Sequence, residues 1–138
     1  MVDRVFPIIH STLHADALAD EIERQYDIGE PVHCELLARG INDNYIVRAG
    51  DTKYALRAWR AGLRGDDEIA YELAYSHYLM THGILLAGPV TTRGGGLDFC
   101  VDAPEGRRHV ALFEWAQGRP MHDVIDGPTC GPRTLPRN

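Results

Sequence analysis

Cysteine is scarce in this chain. Three of its 138 residues are cysteine, Cys34, Cys100 and Cys130; they are odd in number, far apart and form no CxxC pair. That excludes a disulfide-stapled scaffold and reads as free thiols in a reducing compartment. Long apolar runs are also missing. The opening "MVDRVFPIIH" is too short for a secretory leader, and no stretch approaches a membrane span. The default expectation is therefore a cytoplasmic protein. Positive charge is in deficit: 14 Lys and Arg stand against 20 Asp and Glu, a formal net charge of −6. With no basic run anywhere, a nucleic-acid partner is excluded. Neither G-x-S-x-G nor the phosphate-loop G-x-x-x-x-G-K occurs. His10 and His14 are spaced i, i+4, but no clustered Cys or carboxylate joins them. His77, His82, His109 and His122 are scattered, so no metal site is expected. No internal repeat is visible.

What remains is an ordinary globular composition, 44% hydrophobic and 25% charged. The length suits one domain, or a domain with a tail, and buries a core without staples. "LHADALADEIERQYDIG" places Leu13, Leu18, Ile22 and Tyr26 at near-helical spacing, with Gly29 as a stop. Three strands are predicted over Val32 to Leu37, Tyr45 to Arg48 and Lys53 to Trp59; "RAGDTK" is the hairpin between the last two. A second helix is predicted over residues 66–82, capped by Asp66 or Asp67 and ended by Gly83. Its inward side carries Ile69, Leu73, Ser76, Leu79 and Met80. Two more strands follow, "LDFCV" and the apolar run "HVALFEW". From Gly118 onward, Pro120, Pro128, Pro132 and Pro136 forbid a long helix and few apolar residues remain. An irregular tail is expected there.

One strand residue is out of place. In "KYALRAWR", alternation puts Tyr54, Leu56 and Ala58 on one face and Ala55, Arg57 and Trp59 on the other. Arg57 therefore lies between apolar neighbours. Either its stem rests on the apolar surface with the head in water, or the guanidinium is placed there to hold an anion bidentately.

The order helix, β, β, β, α, β, β gives an α+β fold: a five-stranded antiparallel sheet with one packing helix, plus an N-terminal helix. Together with four local segments, it resembles the N-terminal lobe of the aminoglycoside phosphotransferase / homoserine kinase-like family, from about Phe6 to Pro120. "YALR" looks like the third-strand V-A-I-K segment of kinases, with Arg57 in place of the lysine. There the resemblance implies contact with the α- and β-phosphates of ATP. Glu72, in "EIAYELAYSHYL", matches the helix glutamate that pairs with the strand cation; Glu68, one turn earlier, is the other candidate. "ARGINDNYIV" matches the hairpin over the nucleotide. Gly40 would give it freedom, and Asn42 and Asn44 would turn and donate, although an ordinary hairpin would read the same. "VALFEWAQGRP" is similar to the last strand and linker. Phe113 would then stand beside the adenine, with the Glu114 carbonyl and the Ala116 N–H on its edge.

The resemblance implies residues 1–118 as a nucleotide-binding lobe and 119–138 as linker and tail. It implies ATP and Mg2+ as cofactors and, for a complete enzyme, a hydroxyl on an aminoglycoside, homoserine or similar metabolite as acceptor. It also implies what should be missing. The family's H-G-D-x-x-x-x-N loop has no counterpart, because no Asp is followed five positions later by Asn. Asp123 and Asp126 meet Pro128 and Gly131 instead. "GPTCGPRTLPRN" does not resemble the helix expected after the linker, so a fragment or truncated product is expected. It would carry no catalytic residues or metal ligands and would self-associate through the exposed linker face around Trp115. The alternative is a non-catalytic nucleotide-binding or protein-interaction module.

Overall fold

The computed structural model describes residues 6–116. Within them the elements run α1 (Ala15–Gln25), β1 (Val32–Arg39), β2 (Asn42–Ala49), β3 (Thr52–Trp59), α2 (Asp66–Thr81), β4 (Phe99–Ala103) and β5 (Gly106–Glu114). The five strands form one antiparallel sheet in the order β1-β2-β3-β5-β4. The expectations of an irregular tail and of a boundary at residue 118 fall outside the described residues.

Strand alternation divides the protein into two packed layers. Tyr54, Leu56 and Ala58 of β3 face the same way as Tyr45, Val47, Val110 and Leu112. These pack with Leu18, Ile22 and Tyr26 from the α1 side into the main core. Ala55, Arg57 and Trp59 face the other way, where Trp59 and Ala111 pack with Ile69 and Leu73 of α2. The two helices therefore cover opposite faces, and Arg57 lies on the α2 face.

Helix boundaries follow from local chemistry. His14 caps α1, its Nδ1 accepting the Asp16 N–H at 3.2 Å. The helix ends at Gln25, short of the predicted stop at Gly29. Tyr26 turns into extended backbone to bury its ring, and its hydroxyl accepts the Leu112 N–H at 3.2 Å. The cap of α2 is Gly65, not Asp66 or Asp67. Glu68 reaches back to accept the Gly65 N–H at 2.8 Å. Asp66 is turned instead toward Arg107 and His109, at 2.9 and 2.7 Å. Only Ile69 and Leu73 of the predicted inward set are fully buried. At the far end Gly83 adopts φ +88°, where an L side chain would be strained, and its N–H donates to Met80 O.

The β1–β2 connection is tighter than the sequence suggests. β2 starts at Asn42, so only Gly40 and Ile41 turn. Asn42 and Asn44 are ladder residues opposite Trp59 and Arg57. A β-bulge lies at Leu37, between the Leu36–Tyr45 and Ala38–Asn44 pairs. Between Asn42 and Asn44, Asp43 points into the α1 layer and is 1% exposed. It meets Arg108 of β5 at 3.1 Å, a guanidinium that also donates to the carbonyls of Trp59, Ser11 and Ala58.

Candidate functional site

β3 delivers the Arg57 side chain to the α2 face, where α2 presents Glu72 one turn after Ile69. The two meet at 3.1 Å, Arg57 Nη1 donating to Glu72 Oε2. Glu68 is committed to the Gly65 cap, so the choice between the two glutamates falls to Glu72. The other Glu72 oxygen lies 3.2 Å from Arg64 Nη2. Arg64 went unnoticed in the sequence because it sits in the loop before α2 and carries no strand or helix periodicity. Two aromatic rings flank the Arg57 guanidinium: its Cζ is 5.1 Å from the Phe113 ring centroid and 5.4 Å from that of Trp59. Among the described residues it makes one hydrogen bond, so four of the five guanidinium N–H donors are free.

A cleft of about 340 Å³ opens beside this pair. Asn44, Arg57 and Glu72 line one part of it; Phe113, Glu114, Trp115 and Ala116, at the end of β5, line the other. Six of the eight residues singled out in the sequence thus converge on one cavity. Gly40 and Asn42 do not line it. Gly40 has no left-handed φ, and its N–H is spent on Asn42 O at 3.0 Å, so it supplies neither special freedom nor a free donor. Asn42 is held in the ladder opposite Trp59. The Glu114 N–H is likewise taken, by Gly88 O at 3.0 Å, which anchors the strand end. Ala116 is exposed at the mouth. Trp115 joins the lining, with Lys53 Nζ 4.8 Å from its ring centroid.

The cleft is suited to an anion attached to a flat apolar group. It offers a pre-positioned, partly desolvated cation on one side and aromatic and aliphatic surface on the other. Its described carboxylates are Glu72, engaged by two guanidinium groups, and Glu114. The pair does not make a ligand set for a hard divalent cation, which takes several oxygens.

Nucleophilic cysteine chemistry has no support at Cys34, whose thiol is pushed up to about 12 by burial and then by Asp16 and Glu35. Away from the cleft, His109 is gripped at both ring nitrogens by carboxylates, Asp98 at 2.6 Å and Asp66 at 2.7 Å. Burial lowers its pKa, but the two hydrogen bonds outweigh this and hold it above the ordinary value.

No family model matches the chain. Individual relatives do. An uncharacterized protein of Deinococcus radiodurans is 36% identical over 121 residues, 88% of this chain and 35% of the relative. A homoserine kinase of Nitrobacter hamburgensis is 29% identical over 111 residues, 80% of this chain and 32% of that enzyme. Among solved structures, a microcompartment-associated aminopropanol kinase superposes with a TM-score of 0.62 at 27% identity, covering 78% of this chain and 33% of the kinase. An amicoumacin kinase, solved with AMP-PNP and Ca2+, shares the fold with a TM-score of 0.63 at 22% identity, over 80% of this chain and 33% of its own. The chain spans about a third of the length of each. In sequence the chain is similar to homoserine kinases, and its fold is that of the N-terminal lobe of kinase-like phosphotransferases.

Proposed function

We propose that the cleft is the nucleotide half of a small-molecule phosphotransferase site, binding ATP with the phosphates against Arg57 and the adenine against Phe113 and the 114–116 backbone. The observation that carries this is the Arg57 guanidinium. It is fixed by Glu72 at 3.1 Å, flanked by two rings, and has most of its donors open to the cleft. A phosphate meeting that group finds the cation already oriented, and planar guanidinium donors match phosphate oxygens in pairs. Asn44, directly opposite Arg57 in the ladder, adds a neutral donor on the same side. The amicoumacin kinase that shares the fold was solved with an ATP analogue, which supports the same ligand class here.

In a complete enzyme this half-site would hold ATP while the γ-phosphoryl moves to a hydroxyl of an aminoglycoside, homoserine or similar metabolite. Magnesium would need ligands from outside the described cleft. This chain's own residues orient the nucleotide: Glu72 holds the cation, Arg57 meets the phosphates, and the end of β5 supplies the adenine edge and excludes water from one side. Stabilising the transferring group requires further preorganised charges in a closed site.

The test is isothermal titration of the 138-residue chain with ATP, followed by an ADP-release assay against a panel of metabolite alcohols. Binding near 1 mM is expected, about 4 kcal/mol, without turnover. Arg57→Ala should weaken it by at least about tenfold, since hydrogen bonds to a charged group contribute about 1.5–3 kcal/mol. ATP affinity unchanged by Arg57→Ala would refute the reading, and steady turnover would refute the half-site.

A further inference from the structure

The β4–β5 register brings together three side chains that the sequence keeps apart. Cys100 pairs directly with His109 across the ladder, and Asp98 precedes Cys100 by two residues on the same side. His109 Nδ1 lies 2.6 Å from Asp98 Oδ2 and 3.5 Å from Cys100 Sγ. The three donor atoms are all within 4.8 Å of one another. On the far side of the ring, Nε2 lies 2.7 Å from Asp66 Oδ1, at the start of α2. Asp98 and His109 are half-buried, while Cys100 opens to solvent and gives an entry path.

We propose that Asp98, Cys100 and His109 form a binding site for a thiophilic divalent cation of the zinc class, with Asp66 orienting the His109 ring through an Nε2–H hydrogen bond. The donor set selects the metal. One thiolate, one imidazole and one carboxylate suit zinc, whereas magnesium and calcium demand oxygens throughout. The geometry is close to what such an ion needs. Tetrahedral zinc bonds place nitrogen and sulfur donors about 3.5 Å apart, and nitrogen and oxygen donors about 3.4 Å apart. The Cys100–His109 separation already meets that spacing. The Asp98 carboxylate must retreat by less than about 1 Å, which rotation of a half-exposed side chain supplies. A solvent molecule completes the fourth position. Binding displaces the Cys100 thiol proton and any proton on Nδ1 to solvent, leaving the remaining ring proton on Nε2, where Asp66 accepts it. The ion would tie β4 to β5 and, through Asp66, to the first turn of the helix that carries Glu72. The site is separate from the cleft, so it is a structural or regulatory centre and not part of phosphate binding.

Zinc chloride titrated into the metal-free, reduced 138-residue chain tests this, with cobalt(II) as the spectroscopic substitute. One zinc per chain is expected, together with a thiolate-to-cobalt charge-transfer band and tetrahedral d–d bands. Cys100→Ser should weaken zinc by at least about tenfold and abolish the charge-transfer band. Asp66→Asn should cost about tenfold, as loss of such an orienting partner does. Cys34→Ser and Cys130→Ser should change neither. The exposed Cys100 makes its serine variant a safe one for folding, checked by its cooperative unfolding. No zinc binding by the native chain, or binding undiminished in Cys100→Ser, would overturn the proposal.

Discussion

Replacing Asp43 by Ala should destabilise the protein far more than any change at the candidate site. Asp43 is 1% exposed, and the Arg108 side chain it pairs with at 3.1 Å is fully covered. Breaking a buried ion pair from one side leaves the other charge without its partner in a poorly solvating interior, typically about 3–5 kcal/mol. Here the lower end applies, because Arg108 keeps three carbonyl acceptors and Glu105 at 3.7 Å. The loss of Asp43 also strands Arg39 and Arg60, at 3.6 and 4.0 Å, but both reach solvent. A loss of about 3 kcal/mol is therefore expected, a large share of the roughly 5–15 kcal/mol that holds a domain together. It corresponds to a Tm drop of about 10 °C for a domain of this size. At a urea slope near 2 kcal/mol per molar, the midpoint would fall by about 1.5 M. Urea unfolding followed by tryptophan fluorescence reads this, since the Trp59 ring is buried in the folded protein and meets water on unfolding. The double variant Asp43→Leu with Arg108→Met should recover most of the loss, because it removes both charges together. A single-variant loss below about 1 kcal/mol would refute the reasoning, as would a double variant no better than the single.

At the cleft the balance reverses. Glu72→Gln should change unfolding by about 1 kcal/mol or less, because both partners of the pair are about a third exposed; calorimetric titration should nonetheless show a several-fold loss of ATP affinity as Arg57 loosens. Acid stability should depend on Ser11. Burial raises the Glu105 pKa, but its own N–H and the two Ser11 contacts outweigh this and hold it below 4.5. The stability it contributes is present above 4.5 and is lost as pH falls through the lower folded value. Ser11→Ala should therefore raise the midpoint of acid unfolding monitored by circular dichroism, and an unmoved midpoint would exclude the linkage. Self-association should be visible by light scattering as a concentration-dependent mass, driven by the fully exposed Leu85 beside Trp115 at the end of β5; Leu85→Glu should reduce it, and a mass independent of concentration would count against it.

How much of this was legible in the sequence depended on whether a signal was periodic. Alternation in "KYALRAWR" put Arg57 on the correct face, and helical phase put Glu72 on the turn beside Ile69. The apolar run in "HVALFEW" marked the central strand between β3 and β4. Each is a property of one segment. The Asp43–Arg108 pair is not, because it requires the β2, β3 and β5 registers together. "INDN" was read as a turn, since Asn and Asp favour turns in isolation, yet the ladder with β3 claimed those residues. For the same reason His109 looked scattered: Asp98 and Cys100 reach it only through the β4–β5 hairpin. The Gly65 cap was missed because Asp66 and Asp67, both favoured capping residues, follow it directly.

Arg57 and Arg108 show how physical context separates a candidate binding cation from a structural one. Both are strand arginines with a carboxylate about 3.1 Å away. Arg108 spends its donors on three carbonyls and a carboxylate and has no exposed surface, so no ligand can reach it. It fixes β5 to β2 and to the end of β3, the strand that positions Arg57. Arg57 is held at one nitrogen, stacked against two rings, and open at the rest. Ordering a long side chain on binding costs about 0.5–1.5 kcal/mol. For Arg57 the Glu72 contact and the flanking rings already bear that cost in the free protein, so a phosphate would gain most of the attraction it finds there. The partial exposure that makes the Arg57–Glu72 pair weak for stability is what leaves its cation available to a ligand.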